Sequence, residues 1–205
     1  MTARRTTARA GARVFARVLP LLVACAAFAS LPHGGAAADL RQISVERVEG
    51  RYHLSSEAWF AAAPADMYRV LTDYDLFELF SSAFVETRNM HQDEQGRPRF
   101  FTRMQGCILL FCKTVIREGY LLLKPQVEIV AVALPEASDF RYSRERWRFK
   151  AEGQGTLLRY DFEMEPAFWV PPVIGPFIIK RTLRADGAEA IDRIEAVAQG
   201  RTPPP

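Results

Sequence analysis

Residues 140–166 read FRYSRERWRFKAEGQGTLLRYDFEMEP. Apolar and charged side chains alternate on both sides of Gly153-Gln154-Gly155, which is the period of a strand on either side of a glycine turn. Closing that turn with Ala151 opposite Thr156 sets a register. It places Arg146 against Asp161 and Arg144 against Glu163 on one face, and Trp147 against Tyr160 and Phe149 against Leu158 on the other. Opposite charges outside and aromatics inside suit a hairpin with one buried face. Arg148 opposite Arg159 is a like-charge pair that the register leaves unexplained.

Upstream, the same period runs back to Ala83. Six strands are expected near 83–92, 98–107, 112–123, 127–134, 140–151 and 156–165. Their breaks are Gln95-Gly96, a cysteine-flanked loop, Lys124-Pro125, Pro135 and the 153–155 turn, all short enough for antiparallel hairpins. Before them, Ile43 to Phe60 is strand-like, with Tyr52, Leu54, Ala58 and Phe60 in one phase. Pro64 opens a short helix at its first position, where a missing N–H is harmless. Met67, Val70, Leu71 and Tyr74 form its apolar stripe, and Asp66 favours its N-terminal dipole. A second short helix is expected over Leu76 to Phe80. Downstream, residues 177–198 form a long helix with the stripe Ile179, Leu183, Gly187, Ala190, Ile194 and Val197. Gly187 costs about 1 kcal/mol relative to Ala there. Close packing or room for a ligand would each explain it. Arg201 to Pro205 reads as a disordered tail.

Strand, two short helices, six antiparallel strands and a long C-terminal helix is the helix-grip order, an α+β fold. It predicts a curved antiparallel sheet of about seven strands wrapped on the last helix. The local sequence agrees. Ala63-Pro64-Ala65-Asp66-Met67-Tyr68-Arg69-Val70-Leu71-Thr72-Asp73-Tyr74 resembles the first helix of the START and birch-pollen-allergen-like superfamily (SRPBCC). The nearest branch is the coenzyme Q-binding and polyketide cyclase/dehydrase group. Gly155-Thr156-Leu157-Leu158-Arg159-Tyr160 up to Pro166 resembles that group's last strand. Pro171-Pro172-Val173-Ile174-Gly175-Pro176 through Lys180-Arg181-Thr182-Leu183 resembles the start of its final helix. The resemblance spans about 45–198. Members often carry a proline after the Asp-Tyr segment, where this chain has Leu76, Phe77, Glu78 and Leu79. The resemblance implies a tunnel between sheet and helix for lipids, isoprenoid quinones, sterols or polyketides, and no cofactor.

The chain has 205 residues, 49% of them hydrophobic, with 27 basic and 24 acidic residues for a formal charge of +3. That composition is globular and excludes a polytopic membrane protein. The basic surplus sits at the N-terminus. Residues 1–17 hold Arg4, Arg5, Arg9, Arg13 and Arg17 and no acid; Val18 to Ser30 are almost wholly apolar; Ala36-Ala37-Ala38 follows. This is the pattern of a secretory signal peptide over 1–38, cleaved after Ala38. Leu22-Val23-Ala24-Cys25 offers an alternative, a lipoprotein lipidated at Cys25. The START-like domain is expected over 39–200, with 22 basic and 24 acidic residues beyond the leader. A periplasmic location follows, and the argument for a nucleic-acid partner largely goes with the leader.

Cys107 and Cys112 would face each other across a four-residue hairpin, within disulfide range in an oxidising compartment. So small a loop gives about 2 kcal/mol, so its value would lie in local shape. It would hold Ile108, Leu109, Leu110 and Phe111, a wholly apolar tip. A meander puts this tip at the same end as the 134–140 loop and the 165–176 connection, which carries Phe168, Trp169 and Ile174. That end is the expected cavity mouth. It either closes as a lid or touches a membrane while ligand passes. A metal site is not expected, because His53 and His91 lack ligand spacing.

The expected cavity lining is Trp147, Phe149, Tyr160, Phe162 and Met164 from the sheet, with Ile179, Leu183 and Gly187 from the helix. Glu145 shares its phase with Trp147 and Phe149. It would either pair with Arg103 or Arg117 or act as a buried acid or ligand anchor. The leading expectation is a non-catalytic protein that binds, and passes on, an apolar ligand or lipid. The alternatives are a module that docks an envelope protein, and a cyclase or dehydratase using Glu145 with Tyr160.

Overall fold

Ile43 to Phe60 belongs to a hairpin rather than a single strand, so the sheet has eight strands where about seven were expected. Strand β1 (Asp39–Val48) turns at Glu49-Gly50 into β2 (Arg51–Phe60). Both turn residues have positive φ, 49° and 89°, the geometry of a two-residue hairpin loop matched to strand twist. The structure is a computed structural model that describes residues 38–108, 111–171 and 175–204, without the side chains of 107, 108 and 111. The expected signal peptide, the Cys25 alternative, Leu109, Leu110, Ile174 and the side chains of Cys107, Ile108 and Phe111 lie outside it.

Helix α1 (Pro64–Thr72) follows β2, then a 3-10 helix over Tyr74–Leu79. Asp73 caps it by accepting from the Asp75 N–H at 3.2 Å. Asn89 then bridges Asp73 (2.6 Å) and Asp75 (3.1 Å) through its side-chain amide, and its own side-chain oxygen accepts from Tyr74 N. Stacking finishes the anchor: Tyr74 lies 4.0 Å from Phe77 and 4.4 Å from Phe100, ring to ring.

The strands β3 (Phe84–Met90), β4 (Arg99–Ile108), β5 (Phe111–Lys124), β6 (Glu128–Ala133), β7 (Phe140–Glu152) and β8 (Gly155–Pro166) form a meander. The sheet order is β1-β2-β8-β7-β6-β5-β4-β3, antiparallel throughout and open between β1 and β3. The β7–β8 register pairs Ala151 with Thr156, Trp147 with Tyr160 and Arg148 with Arg159, as read from the sequence. The like-charge pair is relieved on both sides. Arg148 makes its ion pair diagonally with Asp161, and Arg159 reaches Glu57 on β2 at 2.6 Å. Arg146 turns instead to Glu128 on β6, at 3.5 Å.

Helix α2 (Gly175–Ala198) crosses the inner face of this sheet. Its C-terminal end is fastened by buried Glu195, which accepts from Ala61 N at 3.0 and 3.1 Å. Two apolar clusters result. One joins α1, the 3-10 helix and the C-terminal part of α2 around Phe60, Phe100, Ile129 and Trp147. The other joins Val45, Tyr52, Leu54, Phe140, Phe162 and Met164, with Ile179 and Leu183 packed on it. Between them the packing is incomplete, and the inner face is left with a cavity.

Candidate functional site

The cavity has a volume of about 170 Å³ and draws its wall from both clusters. That is below the roughly 300–1,000 Å³ of a drug-sized pocket. It suits a compact ligand, or the head of a longer one. Trp147, Leu158, Tyr160 and Phe162 line the sheet side; Leu183, Gly187, Ala190, Ile191 and Ile194 line the helix side. A Cβ on Gly187 would meet only the Ile43 and Leu54 methyls, at 3.1 and 3.9 Å. The glycine therefore lets α2 pack closely on side chains of β1 and β2, with no backbone-to-backbone contact.

At the base lies a buried polar group. Arg117 Nη1 sits 2.9 Å from Glu145 Oε1, and the Tyr160 hydroxyl donates to the same oxygen at 3.1 Å. The pairing needed no direct register between the two strands. Arg117 lies beyond the last β5–β6 pair, Gly119 with Ala133, and Glu145 is registered with Ala131, so the ion pair spans β6 diagonally. Arg103, the other expected partner, pairs instead with Glu86. Burial lowers the Arg117 pKa, but the Glu145 charge and the two tyrosines outweigh it and hold the guanidinium above its ordinary value. Burial, reinforced by Glu145, pushes the Tyr160 and Tyr74 phenols well above theirs. At neutral pH both phenols are donors beside a compensated ion pair. Hydrogen-bonding capacity remains: among the described residues Glu145 Oε2 and Arg117 Nε are buried without a partner, and the Tyr74 hydroxyl stands beside Arg117.

Of the expected lining, Trp147, Tyr160, Phe162, Leu183 and Gly187 surround the cavity, together with Glu145. Phe149, Met164 and Ile179 do not line it. Phe149 packs edge-on against Tyr68, centroids 5.8 Å apart, while Met164 and Ile179 belong to the second cluster. Strand alternation gives a side chain's face but not its position along the cavity, and these three sit beyond its ends. Asp186 also lines the helix wall. Burial, with Glu189 adding, raises it to about 6. In the sequence it reads as an ordinary helix acid three residues after Leu183. At the rim, Glu189 ties the 81–84 loop to α2 by accepting from Ser82 N at 3.2 Å, and it pairs with Arg193 at 3.0 Å.

The structure also gathers the expected apolar end. Ala167 N donates to Asp139 O at 2.9 Å, and Lys113 Nζ lies 5.0 Å from the Phe168 ring. Trp169 is 78% exposed and Phe177 68%. Phe168 and Trp169 lie off the cavity wall. Backbone register sets Cys107 directly opposite Cys112. Among the described residues no group of His, Cys, Asp and Glu could hold a metal ion.

No curated protein matches the chain. Solved structures do, at low identity. A STAR-related lipid transfer protein from Xanthomonas axonopodis is 13% identical, TM-score 0.58, over 80% of this chain and 99% of that one. A START superfamily protein from Mycobacterium smegmatis is 15% identical, TM-score 0.56, over 72% and 97%. The Zhui aromatase/cyclase of a Streptomyces species is 12% identical, TM-score 0.57, over 73% and 94%. At such identities the likeness establishes the fold alone. The family model described as polyketide cyclase / dehydrase and lipid transport matches residues 51–199, from β2 to the end of α2. The chain therefore belongs to that family.

Proposed function

We propose that this protein is exported and binds an apolar ligand with a polar head, which it passes on at a membrane surface without chemical change. One observation carries the reading: an apolar cavity ends on a buried Arg117–Glu145–Tyr160 group that has unused donors and acceptors. Buried polar groups without partners are costly, and a ligand head would supply the missing hydrogen bonds. The surroundings are apolar, so the body of the ligand gains its affinity from burial, about 25 cal/mol per Å². In an oxidising compartment the opposed Cys107 and Cys112 would close a disulfide and shape the apolar tip. Thiol alkylation before and after reduction tests that bond.

The membrane part draws on the exposed aromatics at the apolar end and on the tip at Ile108 to Phe111. Leu110→Asp should abolish association with liposomes while leaving the domain folded by circular dichroism. Unchanged association would remove the membrane from the reading. The binding part is tested by native mass spectrometry of protein recovered from the envelope of its own organism, followed by organic extraction. A defined co-purifying apolar molecule is the expected result. A repeatedly empty cavity would overturn it, and a tight complex with one envelope protein would favour a docking module. The Tyr160–Glu145 hydrogen bond supports a second reading, a cyclase or dehydratase using the pair as acid and base. Glu145→Gln retaining ligand but losing turnover would favour that one.

A further inference from the structure

Asp186 is out of place on the wall it occupies. Leu183, Asp186, Gly187, Ala190, Ile191 and Ile194 are the helix residues that line the cavity, and all but Asp186 are apolar or glycine. The adjoining charges do not neutralise it. Glu189, one turn on, is itself an acid and is engaged by Arg193 and Ser82. Among the described residues Asp186 has neither an ion pair nor a hydrogen bond, although Arg184, Arg181 and Lys180 lie on the same helix. Burial raises its pKa accordingly. A half-buried acceptor with no donor is unfavourable unless something else supplies one. Beside it, Gly187 packs on the Ile43 and Leu54 methyls and offers Asp186 no polar group. The base of the cavity presents its own unused acceptor, Glu145 Oε2, on the sheet.

Resting on the reading of this cavity as the binding site, we infer that Asp186 is a second ligand contact and that the ligand is a compact apolar body with two separate hydrogen-bond donors. One donor, a hydroxyl or amine, meets Asp186 on α2; the other end meets the Arg117–Glu145–Tyr160 base. A plain acyl chain would lay methylenes against Asp186 and leave it unsatisfied. A rigid diol or aminoalcohol on an aromatic or polycyclic frame satisfies both walls within about 170 Å³.

Three two-ring probes separate the possibilities by fluorescence titration: naphthalene, 2-naphthol and 2,6-naphthalenediol. The wild-type protein should bind the diol about tenfold more tightly than 2-naphthol, the effect of one added hydrogen bond to a charged acceptor. Asp186→Ala should bring the diol to the affinity of 2-naphthol while leaving 2-naphthol itself unchanged. Asp186→Asn, isosteric and still an acceptor, should fall between, and serves if the alanine variant misfolds. Equal wild-type affinity for diol and 2-naphthol, or equal loss of both in Asp186→Ala, overturns the second contact. Failure of all three probes to bind overturns the cavity reading beneath it.

Discussion

Arg117 and Glu145 show what one ion pair costs a small domain. Both are buried, so each charge relies on the other for what water would have supplied. Removing one partner leaves an uncompensated charge in the interior, with a typical cost of 3–5 kcal/mol. Arg117→Met and Glu145→Leu should each lower the unfolding free energy by about that much in urea titrations. The double variant should recover most of the loss, because an apolar pair of similar volume replaces a desolvated one. If the pair serves a ligand head, the double variant should be stable yet unable to bind a hydroxylated probe. Asp186 gives the opposite signature. Its pKa is raised from 3.8 to about 6 in the folded chain. Between those values the folded state holds the proton more tightly than the unfolded state, so its contribution falls as pH rises and the penalty is complete above about 6. Asp186→Asn should therefore raise stability above pH 6.5 by about 1 kcal/mol, after allowance for partial exposure. Near pH 3.5 the two proteins should unfold alike. A variant no more stable at pH 8 than the wild type would show that the carboxylate is comfortably solvated.

Helix α2 carries two different jobs on two faces. Inward, Leu183 and Gly187 face the cavity; outward, Phe177, Arg181 and Arg184 recur at helical spacing, i, i+4 and i+7, and are exposed. Neither arginine has an ion pair among the described residues, whereas most other arginines of the domain do. Each cation near an anionic bilayer contributes about 1 kcal/mol. Reversing both to glutamate should weaken binding to vesicles rich in anionic lipid by at least about thirtyfold, with little change on neutral ones. Co-sedimentation measures both. The sequence pattern points to an apolar rim, the 108–111 tip with Phe168, Trp169 and Ile174; the stripe adds a part that salt should screen. How far elements were legible follows from their physics. The β7–β8 register came directly from alternation about a glycine turn. The Glu49-Gly50 turn did not, because the same strand-like composition continues on both sides of it. The ends of the cavity escaped too: Phe149 and Trp147 share a phase, and only the placement of α1, which sets Tyr68 over Phe149, separates wall from core.

At the scale of the whole molecule, the cavity is a gap between two well-packed clusters, and α2 spans it. Its C-terminal end is anchored by Glu195 to Ala61 and buries Ile194, Ala196 and Ala198. Its other half is thinly packed: beyond the opening Gly175, no residue before Ile194 is buried. Sequence order already implied this architecture, since an open meander must be covered by whatever helix follows it. The depth of the gap was not implied, because it depends on three-dimensional packing of residues far apart in the chain. An incompletely filled interior lowers stability through lost contacts, and a ligand restores them only in the folded state. Ligand that binds the folded chain alone stabilises it by about 2.7 kcal/mol at a hundred times its Kd. For a domain of this size that corresponds to a rise in melting temperature of about 5–10 °C. Protein recovered from its own organism should therefore melt higher than the same protein stripped by organic extraction and refolded, and adding back the extract should restore the difference. Glu145→Leu with Arg117→Met should show no such gap, since its base no longer holds a head. Identical melting of loaded and stripped protein would mean that nothing bound in the cavity contributes to the fold, and the carrier reading would lose its thermodynamic ground.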